Sequence, residues 1–158
     1  MDSEIQYLFF DWCDTLMVDD PGYSGAMATW PQITPMAGVA GLLPKLSEKY
    51  KCVVVSNAVE SNAELMMLAF ERVRLKSCFH RFLTSKELGV KKPDPAFFLG
   101  ALQSIDADAR RVMMIGNDYH KDIEPAKAVG IHTILISDKE GSSPGADHVI
   151  TDFSKLDF

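Results

Sequence analysis

Leu8-Phe9-Phe10-Asp11-Trp12-Cys13-Asp14-Thr15-Leu16 is the stretch on which the reading of the fold turns. The apolar run over residues 5–12 reads as a buried strand, and it delivers a carboxylate at its tip. Such a carboxylate is costly unless something there uses its charge, the plainer alternative being a loop-capping aspartate. Working outward, further apolar strands are predicted at 52–55, 82–84, 112–115, 131–136 and 148–150. Helical patterns fall between them. Val39, Leu42, Leu43 and Leu46 mark one over 36–50, which Pro44 should kink or split. Ser61-Asn62-Ala63-Glu64 has capping-box spacing and opens one that runs to about Leu75. Asp94-Pro95 supplies an N-cap and a first-turn proline for one through Phe98, Leu99 and Leu102. A last helix over 122–129 is stopped by Gly130.

Apolar strands alternating with helices predict an α/β fold, a three-layer, Rossmann-like parallel sheet flanked by helices. Ligands in such folds bind beyond the carboxyl ends of the strands. The polar groups obey that rule, because residues 11–15, 56–57 and 117–122 each directly follow an apolar run.

Composition narrows the function. The chain has 158 residues, 47% of them hydrophobic, and carries 16 basic against 22 acidic residues for a net charge of −6. One domain over 1–158 is expected at that length. The short basic groups at 72–76 and 110–111 read as solvated surface, so no nucleic-acid partner is expected. No apolar run is long enough to span a membrane. The first residues carry no secretory pattern, and three cysteines without CxxC spacing suit reduced thiols, so a cytoplasmic protein is expected.

Two more segments carry chemistry. Gly89-Val90-Lys91-Lys92-Pro93-Asp94-Pro95-Ala96-Phe97-Phe98 holds a lysine in a proline frame just before a helix. Capping explains the prolines and Asp94 but leaves Lys92 unexplained. In Gly116-Asn117-Asp118-Tyr119-His120-Lys121-Asp122, two acids four residues apart could hold a hard cation or cap the following helix.

Taken in order, the Asp11 loop, Ser56-Asn57, Lys92 and the 116–122 loop resemble the haloacid dehalogenase superfamily, over residues 5–150. The resemblance implies that Asp11 is a nucleophile that forms an aspartyl-phosphate. It implies phosphate binding by Ser56 and the backbone amide of Asn57, with Lys92 neutralising charge between Asp11 and the phosphoryl group. A Mg²⁺ cofactor would be held by Asp11, the carbonyl of Cys13 and a carboxylate from the 117–122 loop. Asp118 is the expected main ligand, with Asn117 auxiliary and Asp122 orienting the shell or pairing with Lys92.

One position departs from that pattern. Phosphatases of the superfamily usually place a second Asp, a general acid and base, where this chain has Cys13, and a Gly where it has Asp14. A thiol beside carboxylates is a poor acid. The implied reaction is therefore hydrolysis of a phosphoric monoester or acyl phosphate with an impaired acid. Two alternatives stay open: a catalytically degenerate binding or scaffold protein, and dehalogenase-like hydrolysis at the same Asp. The gaps between motifs leave no room for a separate cap domain. Residues 18–35, with Tyr23, Met27 and Trp30, should instead form a flap whose aromatics pack or touch substrate. The expected partner is a phosphorylated substrate, small or large, and the capless form suggests a possible homo-oligomer.

Overall fold

Leu8, Phe9 and Phe10 are all completely buried, because their strand has a neighbour on each side and a layer on each face. The computed structural model describes residues 4–157 except 58, 139–142 and 144; residues 1–3, part of the expected leaderless start, lie outside them. Six strands, β1 (Tyr7–Phe10), β2 (Lys51–Ser56), β3 (Phe79–Thr84), β4 (Val112–Gly116), β5 (His132–Ile136) and β6 (His148–Ile150), form one sheet in the order β3-β2-β1-β4-β5-β6. Every pairing is parallel.

The period of two along each strand divides the core. Leu8, Phe10, Cys52, Val54, Met113 and Ile115 face one layer, with Val39, Leu43, Met66 and Phe70 from helices α1 (Val39–Lys49) and α2 (Ala63–Arg72). Phe9, Val53, Val55, Val112 and Met114 face the other. There they meet Phe97, Phe98, Ala101 and Ala126. A short helix α3 (Ser85–Leu88) precedes α4 (Pro95–Ile105), and α5 is Glu124–Ala128. β1 lies between β2 and β4, so strand order reverses at β1, and a crevice is expected beyond its carboxyl end.

Several boundaries differ from the sequence reading, each for a local reason. Helix α1 is one helix despite Pro44. Asn62, not Ser61, caps α2, its side chain accepting from the Leu65 amide at 3.0 Å, while Ser61 is buried. α2 stops at Arg72 because Arg74 enters the left-handed region at φ 61°, and the Leu75 amide closes back on the Phe70 carbonyl. β3 begins at Phe79 because pairing with β2 makes a strand of the polar residues His80 and Arg81. The 122–129 helix is in fact a π-helical turn, Tyr119–Ile123, followed by the short α5.

Candidate active site at the carboxyl end of the sheet

β1 ends at Phe10, so Asp11 leaves the sheet at the reversal point, its amide still donating to the Ile115 carbonyl of β4. The chain then turns tightly, with the amides of Thr15, Leu16 and Met17 all donating to the Trp12 carbonyl. The turn needs a left-handed residue at position 14, where Asp14 adopts φ 59°. Aspartate tolerates that conformation better than most side chains, and its Oδ1 accepts from the Asp19 amide at 3.0 Å.

Lys92 is the hub of the site. It is 4% exposed, and its Nζ donates to Asp11 Oδ1 at 2.9 Å, Asp122 Oδ1 at 2.6 Å and the Val55 carbonyl at 3.2 Å. Three ammonium donors thus meet three acceptors. Its backbone is clamped by Asn57, whose Oδ1 accepts from the Lys92 amide at 2.8 Å and whose Nδ2 donates to the Lys92 carbonyl at 2.9 Å. Burial alone would lower the Lys92 pKa, but the carboxylates of Asp11 and Asp122 outweigh it and hold the pKa above its usual value. Asp122 reaches the hub because the π-turn carries it inward and Gly116 leaves it space: a Cβ there would collide with the Asp122 carboxyl group. Burial, then the charge of Asp11, pushes Asp122 up, against the pull of Lys92.

The other predicted residues take distinct places. The Ser56 hydroxyl is buried at the end of β2 and donates to the Asn57 carbonyl at 3.3 Å. Asp118 caps the π-turn, its Oδ1 accepting from the Lys121 amide at 3.0 Å. Asn117 instead faces the nucleophile loop. The Thr15 hydroxyl lies 3.5 Å from Asp11 Oδ2 and 3.4 Å from Asn117 Oδ1, a single donor between two acceptors. Thr15 was not among the predicted site residues; its only signal was a hydroxyl four positions after Asp11. His120 is exposed and pairs with Glu124 at 3.1 Å. The Cys13 thiol is pushed up to about 12, first by burial and then by the charges of Asp19, Asp11 and Asp14.

The flap is held in place. Arg72, read from sequence as solvated surface, donates to the carbonyls of Ala28, Trp30 and Pro31 at 3.1, 2.6 and 3.3 Å. Trp30 Nε1 donates to the carbonyls of Ser24 and Gly25 at 3.0 and 3.1 Å. Under the flap lies a cavity of about 250 Å³ lined by Trp12, Cys13, Met27, Trp30 and Asn57 among others. Of the flap aromatics, Trp30 both packs and lines the cavity, while Tyr23 packs against Trp30.

The sequence profile of haloacid dehalogenase-like hydrolases matches residues 18–136. The chain belongs to that family. A ribulose-1,5-bisphosphate 5-phosphatase of Halopiger xanaduensis is 30% identical over 112 residues, covering 70% of this chain and 46% of that protein. A pyrimidine 5′-nucleotidase of Escherichia coli is 29% identical over 142 residues, 86% of this chain and 60% of that protein. The chain thus spans only part of the length of these relatives. Among solved structures, a magnesium-bound Bacillus subtilis protein described as a HAD-hydrolase superposes with a TM-score of 0.75 at 14% identity, over 94% of this chain and 95% of that one. In this member of the family, among the described residues, only a 3₁₀ turn (Met27–Thr29) and α1 stand between β1 and β2. No separate cap domain is inserted there. Nor is any described helix long and apolar enough to cross a membrane.

Family members generally use Mg²⁺, and the donor set here can be tested against it. Among the described residues, no three His, Cys, Asp or Glu side chains converge on one point. Mg²⁺ takes oxygen ligands of any kind and keeps several waters. Asp11 Oδ2 and Asn117 Oδ1, facing each other across one shared hydroxyl, make an oxygen pair that fits such an ion. It carries a single formal negative charge.

Proposed function

We propose that the chain is a Mg²⁺-dependent phosphatase working through an aspartyl-phosphate on Asp11. The observation that carries this reading is the buried Lys92 hub, which holds Asp11 Oδ1 at 2.9 Å while its other carboxylate oxygen faces the Thr15–Asn117 side. An aspartate there for structure alone would not need a buried lysine, a second carboxylate and an amide clamp to hold it.

The steps follow from these positions. One carboxylate oxygen of Asp11 bonds to phosphorus as the ester P–O bond breaks, and the electron pair leaves on the ester oxygen. Lys92 offsets the negative charge gathered between Asp11 and the phosphoryl group. The end of β2, with the Ser56 hydroxyl and the backbone amide of Asn57, supports the phosphate oxygens. Water then attacks phosphorus, the Asp11–phosphate bond breaks and inorganic phosphate departs. Asp11, the carbonyl of Cys13 and Asn117 would hold the Mg²⁺, which supplies positive charge beside the phosphate when bound; the capping role of Asp118 favours Asn117 over it as ligand. At neutral pH the Cys13 thiol stays protonated and too weak an acid to assist the leaving group. Turnover is expected to favour esters and acyl phosphates whose leaving groups are stable as anions.

The test is phosphate release from p-nitrophenyl phosphate and acetyl phosphate, with and without Mg²⁺, for the wild type and Asp11→Asn. Mg²⁺-dependent release that Asp11→Asn abolishes, with the fold retained by circular dichroism, is the expected result. Release that survives the substitution would refute the nucleophile. Mg²⁺ binding without any release would favour the binding-module reading, which Cys13 alone recommends.

A further inference from the structure

We infer that the cavity under the flap accepts an aromatic ring that carries no negative charge, so that the substrates of this site are phosphorylated phenols with neutral or cationic rings. This rests on the phosphatase reading for its chemistry but on separate observations for its selectivity.

The cavity is lined by Cys13, two residues after Asp11, and by Asn57, the clamp of Lys92. Its volume of about 250 Å³ falls just under the roughly 300–1,000 Å³ of sites for drug-sized ligands, so a compact group fits it. Its floor is two indoles and a thioether, from Trp12, Trp30 and Met27, each at most 7% exposed. Flat aromatic rings stack on such surfaces and flexible polyols do not. The Trp12 indole N–H is buried and has no acceptor among the described residues.

Charge sets the second half of the selection. Among the described residues, the charged ones that line the cavity are Asp19 and Glu60, both exposed, with no lysine, arginine or histidine. A second anionic group on the substrate would sit beside two carboxylates with no cation to receive it. The chemistry agrees independently. Position 13 offers a thiol where a carboxylic acid would protonate the leaving oxygen. As Asp11 bonds to phosphorus and the P–O(aryl) bond breaks, the electron pair leaves on a phenolate, which takes its proton from solvent. An alkoxide, far more basic than a phenolate at about pKa 10, leaves poorly without an acid.

The two tryptophans of the chain both line this cavity, so intrinsic fluorescence excited at 295 nm reads its occupancy directly. Benzyl alcohol, benzylamine and phenylacetate are the binding probes. The first two are expected to shift the emission, and phenylacetate to bind on the order of tenfold more weakly than benzylamine at low salt. Asp19→Asn with Glu60→Gln, both surface changes whose melting curve is checked, is expected to bring phenylacetate within about threefold of benzylamine. No emission change with any probe, or equal binding of amine and acid, overturns the inference. In parallel, phosphate release is compared for phenyl phosphate, 4-(2-aminoethyl)phenyl phosphate, 4-carboxyphenyl phosphate and glycerol 3-phosphate. The first two are expected to exceed the others by about tenfold or more in kcat/KM. Release from all four at similar rates sinks the selectivity and leaves the phosphatase standing. Release from none, with fluorescence discrimination intact, sinks the phosphatase and leaves the cavity's preference standing.

Discussion

Asp11 has two unlike neighbourhoods. On the Lys92 side the polar groups interlock: an ammonium meets three acceptors, one of them Asp122 at 2.6 Å, and Asn57 fastens the lysine backbone with two hydrogen bonds. On the Cys13 side the groups are loosely engaged or apolar. Cys13 offers a thiol, one threonine hydroxyl lies between two oxygens at 3.5 and 3.4 Å, and an indole N–H is buried without a partner among the described residues. The first neighbourhood is preorganised to hold charge, which is what phosphoryl transfer asks of a protein. On the proposed function, the second is the side that faces the leaving group and the metal.

The contrast is broken most severely by Lys92→Met. Removing the cation leaves Asp122, 1% exposed, without its counter-charge, at a cost of roughly 3–5 kcal/mol in comparable buried pairs. A melting temperature lower by roughly 10 °C is expected, with phosphate release reduced at least about 10²–10³-fold. A variant with unchanged melting would show that the hub does not stabilise the fold.

Cys13→Asp restores a carboxylic acid on the other side. General acid assistance is worth about 10²–10⁴-fold in mature sites, and about 10-fold or more is expected here for alkyl esters. Phenyl phosphate should gain much less, because its leaving group needs less help. Equal gains for both esters would mean the thiol is not what limits the leaving step.

Asn117→Asp tests the metal side. A second carboxylate opposite Asp11 is expected to lower the Kd for Mg²⁺ by on the order of tenfold in calorimetry. Asp118→Asn should leave that Kd within about twofold, its carboxylate being engaged as a cap. The reverse order of effects would return the ligand role to Asp118.

The smallest effect is expected at alkaline pH. The Cys13 and Cys52 thiols are both raised from 9.0 to about 12, chiefly by burial. The unfolded chain therefore loses these protons first, and the stability they contribute is complete below pH 9 and lost as pH rises toward 12. The loss is on the order of 1 kcal/mol per thiol at pH 10. Cys13→Ser should make the decline of melting temperature above pH 9 shallower; an identical slope would mean that the thiol is not held neutral.

The strands were legible because burial on both faces writes itself as unbroken apolar runs, as in Val53-Val54-Val55 and Met113-Met114-Ile115. β3 was half hidden because His80 and Arg81 take strand geometry from their neighbour, not from their own chemistry. Asp11 and Lys92 stood out as charged residues placed where burial was expected. Thr15, Trp12 and Arg72 did not, since a hydroxyl, an indole and a surface guanidinium have ordinary uses almost anywhere. The Asn62 cap was misplaced by one residue because Ser61 and Asn62 are both good caps, and only the packing of Ser61 decides between them.

What the sequence determined by itself was therefore the parallel α/β sheet, the family, and the inventory of charged and nucleophilic groups at the ends of its strands. Those follow from local periodicity and from residue types in a fixed order. Tertiary structure alone decided who meets whom: that the π-turn swings Asp122 onto Lys92, that Asn117 faces Asp11 while Asp118 closes a turn, and that Trp30 of the flap and Trp12 line one cavity with Asp19 and Glu60. Such pairings join residues up to 102 positions apart, and no local propensity encodes the direction in which a side chain at the end of a strand will find its partner.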